Sequence, residues 1–236
     1  MSEEMRQAME NPMDNPTENH DIPFEFERKF FIENLPETAR EHGSKRIIVQ
    51  AYVFAQAGYA IRVRLSFRDV AEFEFPKFDE ALDFVGGYER KVLARLLQEV
   101  RNESSDGSVQ ASIAVKSPSV NGERYELENE LDIDVAAQIL QHSGNLVLKR
   151  RYSLWLGEDG WEFDVFAGQN EGLIVAECER LSPVVDLAIP EFAVTEVTGD
   201  ARFTNDSLSK EPWNQWDTQF RAELSARGPF FLDLRN

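Results

Sequence analysis

The sequence predicts a mainly β chain with a few helices (α+β), its antiparallel strands arranged as a barrel or a sandwich. Three observations predict it. Short segments of alternating side-chain character recur: FEFERKFFI, IIVQAYVFA, YAIRVRLSF, VQASIAVKS, RYELENELDI, NLVLKRRYSLWLG, GWEFDVFA and GLIVAECERL. Alternation is the period of two that a strand imposes. Turn chemistry separates the segments, with QAGY around Gly58 and GEDGW at Asp159-Gly160 marking hairpins. Helical periodicity is confined to a few stretches between and after them.

In chain order, residues 1–20 carry two Asn-Pro steps, several acids and few large apolar groups, the composition of a disordered segment. FEFERKFFI is the first strand. PETAREHG, after Pro36, predicts a short helix ending at Gly43. IIVQAYVFA and YAIRVRLSF follow as a hairpin. Next comes DEALDFVGGYERKVLARLLQEVRN, with Val92, Leu93, Leu96, Leu97 and Val100 at helical spacing and Gly86-Gly87 dividing it in two. DIDVAAQILQHSG predicts a helix with Val135, Ile139 and Leu140 on one face. After the remaining strands, SKEPWNQWDTQFRAELSARG predicts a last helix with Pro212 in its first turn and Gly228 at its end. Trp155, Trp161, Trp213, Trp216 and Cys178 read as packing residues.

Composition narrows the function classes. A net charge of −18 disfavours nucleic acids and anionic membranes as partners. No long apolar run predicts a membrane span, and the polar N-terminus has no secretory core. The single cysteine excludes an internal disulfide framework and suits the cytoplasm. His20, His42 and His142 lack ligand spacing, which argues against zinc or copper and leaves hard cations such as Mg²⁺ or Mn²⁺ on carboxylates.

Charge follows strand parity. Glu25, Glu27 and Lys29 alternate with Phe24, Phe26, Arg28 and Phe30, and Arg62 and Arg64 with Ile61, Val63 and Leu65. Glu126, Glu128 and Glu130 share one face, as do Lys149 and Arg151, while Asp164 has Glu162 on its own parity and Glu177 and Glu179 flank Cys178. Polar-out surface strands produce such alternation. Like charges repeated on one face repel, however, and acidic and basic strands are sorted as though into opposed walls. Carboxylates need a cation and Arg/Lys pairs an anion, and a metal-bound polyphosphate satisfies both. The charged faces therefore read either as solvated surface or as the lumen of a closed barrel with an apolar, helix-covered exterior.

The motifs, taken in order, resemble the CYTH superfamily, also called triphosphate tunnel metalloenzymes. The resemblance runs through EFERKF, QAYVF, IRVRL, ASIAVKS, RYELENEL, LKRRY, WEFDVF, GLIVAECE and EVTGDARFTNDSLSKEPW, over roughly residues 22–213. It implies an eight-stranded antiparallel β-tunnel with a charged lumen and helices packed outside. The domain would span 21–211 with a helical insertion at about 68–108, and a C-terminal helix and tail would occupy 212–236. By resemblance, Lys29, Arg62, Arg64, Lys149, Arg151 and Arg202 contact phosphate, with a turn role as the alternative for Arg202. Glu25, Glu27, Glu126, Glu128, Asp164, Glu177 and Glu179 supply ligands for one or two Mg²⁺ or Mn²⁺ ions. Lys116, partnered by Tyr52, stands near the attacking water as a base, or is a further phosphate contact.

The insertion departs from compact members of the family and reads as an outer or rim appendage, available for a homodimer or another partner. It also loosens the register expected of Lys116, which lacks the glycine-rich turn after it. The implied activity is metal-dependent hydrolysis of a small-molecule triphosphate, foremost inorganic tripolyphosphate to pyrophosphate and phosphate. Thiamine triphosphatase, nucleoside triphosphatase, class IV adenylyl cyclase and a non-catalytic polyphosphate-binding module are the alternatives.

Overall fold

The computed structural model describes residues 24–68, 70, 72–79, 81–83, 87–103 and 108–233. The segment 1–20, expected to be disordered, lies outside the described residues. Eight strands form the body: β1 (Phe24–Phe31), β2 (Ser44–Gln56), β3 (Tyr59–Arg68), β4 (Val109–Lys116), β5 (Glu123–Glu130), β6 (Leu146–Leu156), β7 (Asp159–Phe166) and β8 (Ile174–Arg180). Their order is β5-β4-β3-β2-β6-β7-β8-β1, and β1 also pairs with β5, so the antiparallel sheet closes into a barrel. A short β9 (Thr195–Glu196) adds to β1. The helices are α1 (Glu37–His42), α2 (Gly87–Glu103), α3 (Ile133–His142), α4 (Asn205–Leu208) and α5 (Asp217–Arg227).

Turns and closure rest on local chemistry. Ala57 and Gly58, at φ of 50° and 81°, make the β2–β3 hairpin with the two left-handed residues that a tight primed turn needs. The β6–β7 hairpin turns at Gly157-Glu158, not at the expected Asp159-Gly160, because Gly157 takes the left-handed position (φ 66°) and Gly160 is already inside β7. Where β5 meets β1, Gly122 accepts from the Glu27 backbone N–H at 2.8 Å. A Cβ on Gly122 would stand 2.1 Å from the Glu27 carbonyl oxygen, so the closure tolerates only glycine there.

Outward-facing apolar residues are covered on two sides. On one, Val63, Leu65, Phe67, Ala111 and Leu148 pack under Val92, Leu93 and Leu96 of α2 and Ala136, Ala137 and Leu140 of α3. Helix α2 of the insertion is thus an outer cover that lies on β6 and α3; the part before Gly86 is turns where residues 81 and 82 are described, not a helix. Helix α3 is capped by Asp132, whose side chain accepts from the Val135 N–H. Its small alanines approach the barrel most closely, which leaves Val135 exposed instead of on the buried face. On the other side, Phe30, Trp161, Phe163, Ala176 and Cys178 pack with Ala39 of α1 and with Val184 and Leu187. Phe24, expected beneath a helix, is half exposed and meets the Tyr125 ring edge-on instead.

A third cluster fills one end of the barrel. Phe31, Val147, Phe166 and Val175, at the matching ends of β1, β6, β7 and β8, pack against Phe203, Trp213, Trp216 and Phe220 of the C-terminal segment. No helix among the described residues is long and apolar enough to cross a membrane.

One ion pair ties the chain end to the barrel. Arg28, facing outward on β1, donates from Nε and Nη2 to the Glu196 carboxylate at 2.9 and 2.5 Å, and both residues are buried. Glu196 Oε2 also accepts from the Leu232 N–H at 2.7 Å. Removing one member of a buried pair strands the other charge, a cost of about 3–5 kcal/mol. Arg28→Ala is therefore expected to lower unfolding free energy by about that amount in urea titration, while Arg28→Met with Glu196→Leu recovers most of it.

Candidate active site

Register decides which side chains share the lumen. Directly paired residues lie on one face of a sheet. Starting from Lys29, the pairings Lys29↔Glu177, Glu177↔Glu162, Asp164↔Arg151, Arg151↔Arg46, Gln50↔Arg64, Arg64↔Ser112, Lys116↔Glu126 and Arg124↔Glu25 return to β1. The charged parity is the interior, and the phenylalanine parity of β1 is the exterior. Lys116, whose register the insertion had loosened, is buried and pairs with Glu126 and Ala60 on this face.

The side chains join into a belt of alternating sign. Lys149 pairs with Asp164, which Arg151 grips through Nε and Nη2, both at 2.7 Å. Arg151 reaches Glu177 at 2.9 Å, and Lys29 links Glu177 at 2.6 Å to Glu27 at 3.0 Å. Arg124 continues from Glu27 (3.2 Å) to Glu25 (2.5 Å), and Lys116 from Glu25 (3.6 Å) to Glu126. Arg62 ends the run between Glu126 and Glu128. The opposed acidic and basic walls expected from the strand pattern are not found: long side chains cross from strand to strand and interleave. Each desolvated charge thereby gains a counter-charge, without which burial would be prohibitive.

Arg64 and Glu179 stand apart from the belt. Arg64 has no ion-pair partner among the described residues, and its Nε is buried without a hydrogen bond. Burial and neighbouring Arg62 push its guanidinium below the usual arginine value. For Arg62, Arg124 and Arg151 burial acts the same way, but facing carboxylates overcome it. Glu179 is the opposite case. Burial, then the like charges of Glu25, Glu162, Glu27 and Glu126, hold its carboxyl well above the ordinary range. Glu27 is raised by burial and Glu25 despite Lys29 and Arg124. Glu128 falls to about 2 because Arg62 and Arg64 outweigh its burial.

Three further groups have shifted proton affinity. Burial and then Arg124 lower Lys116 against the pull of Glu126, and burial and then Arg151 lower Lys149 to about 8 against Asp164. Burial raises the Tyr52 phenol to about 12.

Most residues expected in the site share the lumen, but Arg202 does not join the belt. Its guanidinium pairs with Asp200 at 2.7 Å and Glu223 at 3.0 Å and lies over the Trp216 and Phe220 rings. These contacts are those of a structural brace, the alternative to the phosphate contact expected of Arg202, and α5 supplies Glu223 to it. Glu130 is exposed at the strand end, and Trp155, expected to pack, is 45% exposed. Arg124 and Glu162 enter the lumen without having been singled out as site residues. Both sit on the charged parity of their strands, so the same test applied to every residue would have found them.

The donor set fits a hard divalent ion in kind. Glu179, whose carboxyl burial and the like charges of Glu25, Glu162, Glu27 and Glu126 hold high, is an acid whose ionisation a doubly charged ion would favour. Among the described residues no three acidic, histidine or cysteine side chains already converge on one point suited to an ion. Glu25, Glu27, Glu126 and Glu177 are instead turned onto Lys116, Lys29, Arg124 and Arg151.

Fold and lumen together define a β-tunnel protein whose interior is organised by charge. No family model matches the chain. Over 106 residues it is 34% identical to an inorganic triphosphatase of Acetivibrio thermocellus, covering 44% of this chain and 68% of that protein. The chain belongs to that family, the CYTH superfamily of triphosphate tunnel metalloenzymes. Among solved structures, the inorganic triphosphatase NE1496 resembles it with a TM-score of 0.45 and 22% identity, covering 78% of this chain and 93% of that one. The PH1012 protein of Pyrococcus horikoshii OT3 gives a TM-score of 0.38 and 16% identity, covering 67% and 79%.

Because the folded state raises the Glu179 pKa, ionising it costs stability. Below the unfolded carboxylate value of about 4.3 both states are protonated and the cost is absent; it builds as pH rises through the folded value. Glu179→Gln is thus expected to raise the thermal midpoint of ion-free protein at pH 7, with the gain vanishing below about pH 4. Calorimetric scans at the two pH values check this.

Proposed function

We propose that the chain hydrolyses a triphosphate inside its tunnel, most directly inorganic tripolyphosphate to pyrophosphate and phosphate, with Mg²⁺ or Mn²⁺. The observation that carries this reading is the pairing of two deficits in one lumen among the described residues, an arginine (Arg64) without an anion and a carboxyl (Glu179) without a cation. A metal-bound triphosphate supplies both. The family relative named as an inorganic triphosphatase supports the same substrate class. A cytoplasmic setting is part of the proposal, supported by the lone cysteine.

In this reading the phosphate chain displaces carboxylates from the cations. Arg62, Arg64 and Arg151 take phosphate oxygens through their forked N–H groups, and Lys29 and Lys149 bind them as point charges. The released Glu25, Glu27, Glu126, Glu128, Asp164, Glu177 and Glu179 would hold one or two divalent ions. When bound, such an ion would neutralise charge on the phosphates and acidify a coordinated water. Lys116, whose ammonium form burial and then Arg124 disfavour, would accept the proton of the attacking water at Nζ. Tyr52, held protonated, donates its hydroxyl proton to an anionic oxygen. Positioning and charge neutralisation carry most of such a reaction.

Phosphate release from tripolyphosphate, ATP and thiamine triphosphate, with Mg²⁺, Mn²⁺ or chelator, tests the proposal. Tripolyphosphate with metal is expected to be cleaved fastest, and silence with all three substrates would remove the enzyme reading in favour of a binding module. Arg64→Ala and Lys116→Ala are each expected to reduce kcat/KM about 100-fold or more in the same assay. The ammonium of Lys149 is present below about pH 8 and lost above it. Substrate capture should therefore weaken from pH 7 to pH 9, read as a rising KM, and Lys149→Arg should flatten that rise.

A further inference from the structure

The charged belt is interrupted between Glu128 and Lys149, and there β2 contributes two uncharged side chains, Gln50 and Tyr52. Gln50 is fully buried on the lumen face, directly opposite Arg64 on β3 and Val147 on β6. Its Nε2 donates to the Tyr52 hydroxyl oxygen at 3.0 Å. Its Oε1 is buried and has no hydrogen-bond partner, as is Nε of the opposite Arg64. Leaving a buried acceptor unsatisfied costs about 1–3 kcal/mol, which an apolar side chain of similar volume would avoid. A buried amide whose donor side is engaged and whose acceptor side is empty is arranged for a group that arrives with the ligand.

We propose that Gln50 is a positioning residue for the reaction, aiming the Tyr52 hydroxyl into the lumen and receiving a hydrogen of the attacking water on Oε1. This rests on the triphosphatase reading. The Nε2–H bond occupies a lone pair of the Tyr52 oxygen, so the phenolic proton is directed away from Gln50. Tyr52 then serves as a donor and the amide oxygen as an acceptor. Ionised phosphate oxygens have no proton to offer Oε1, whereas water does. With one O–H held by Gln50, a water lone pair is free to form the new O–P bond. The anhydride P–O bond breaks with its electron pair on the departing pyrophosphate, and the water's other proton passes to the site's base.

The test compares the parent with Gln50→Met, Gln50→Glu, Tyr52→Phe and the Gln50→Met/Tyr52→Phe double variant. For each, kcat and KM on tripolyphosphate are measured from pH 6 to 9, together with the thermal midpoint. Gln50→Met is expected to lower kcat by about tenfold or more with KM little changed. The double variant should be no worse than the poorer single variant, because both act through one hydrogen bond. Gln50→Glu keeps the shape, but its ionised carboxylate recaptures the Tyr52 proton. Its kcat at saturating substrate should therefore fall with rising pH where the parent's does not. Unchanged kcat in a folded Gln50→Met, or single effects that multiply in the double variant, would overturn the proposal. Should Gln50→Met not fold, an unaltered pH profile in Gln50→Glu overturns it equally. An active parent with indifferent Gln50 variants removes this proposal alone, whereas an inactive parent removes the proposed function and this inference with it.

Discussion

The structure depends on keeping many charges inside a closed barrel without leaving them alone. Burying an isolated carboxylate or ammonium is prohibitive, so the lumen must be nearly neutral and locally paired before it can form. The alternating belt from Lys149 to Glu128 meets that requirement with side chains from β1, β3, β4, β5, β6, β7 and β8. The barrel has to close before the belt does, because Arg124 of β5 is bridged by Glu25 and Glu27 of β1. The tight approach at Gly122 is thus an electrostatic condition as well as a steric one.

Such a belt is a compromise that a ligand can exploit. Each ion pair weakens its members' hold on anything else, so the pairs that stabilise the ligand-free lumen would compete with substrate. The exceptions, Arg64 and Glu179, lie where that self-satisfaction fails. They give an entering polyanion and its counter-ions a foothold that needs no prior bond to be broken. On the proposed reaction, exchange would then spread along the belt, each displaced carboxylate becoming available to cations.

The parts of this arrangement legible in the sequence are those governed by a period of two. Glu25, Glu27 and Lys29 share a face because strand geometry leaves no choice, and the same holds for Arg62 with Arg64 and for Lys149 with Arg151. Whether that face was inside was not legible in any single strand, since a solvated sheet gives the same alternation. Glu196 and Arg28 were not legible either: 168 residues separate them, and no local pattern announces the contact. Arg202 was left between a phosphate contact and a turn role, because its contact with Glu223 depends on a helix that follows it. Gln50 was overlooked for a different reason: an uncharged amide adds nothing to a pattern of alternating charge, and its meaning lies in what its oxygen lacks.

The apolar cluster of Phe31, Val147, Phe166 and Val175 under the C-terminal segment stoppers one end of the barrel. A tube blocked there would, on the proposed reaction, be loaded and emptied from its opposite end, so reactant and products would share one route. On the proposed reaction, the fragment nearer the opening must depart before the one behind it can follow. Traffic through the doorway, rather than bond cleavage alone, then becomes a determinant of turnover.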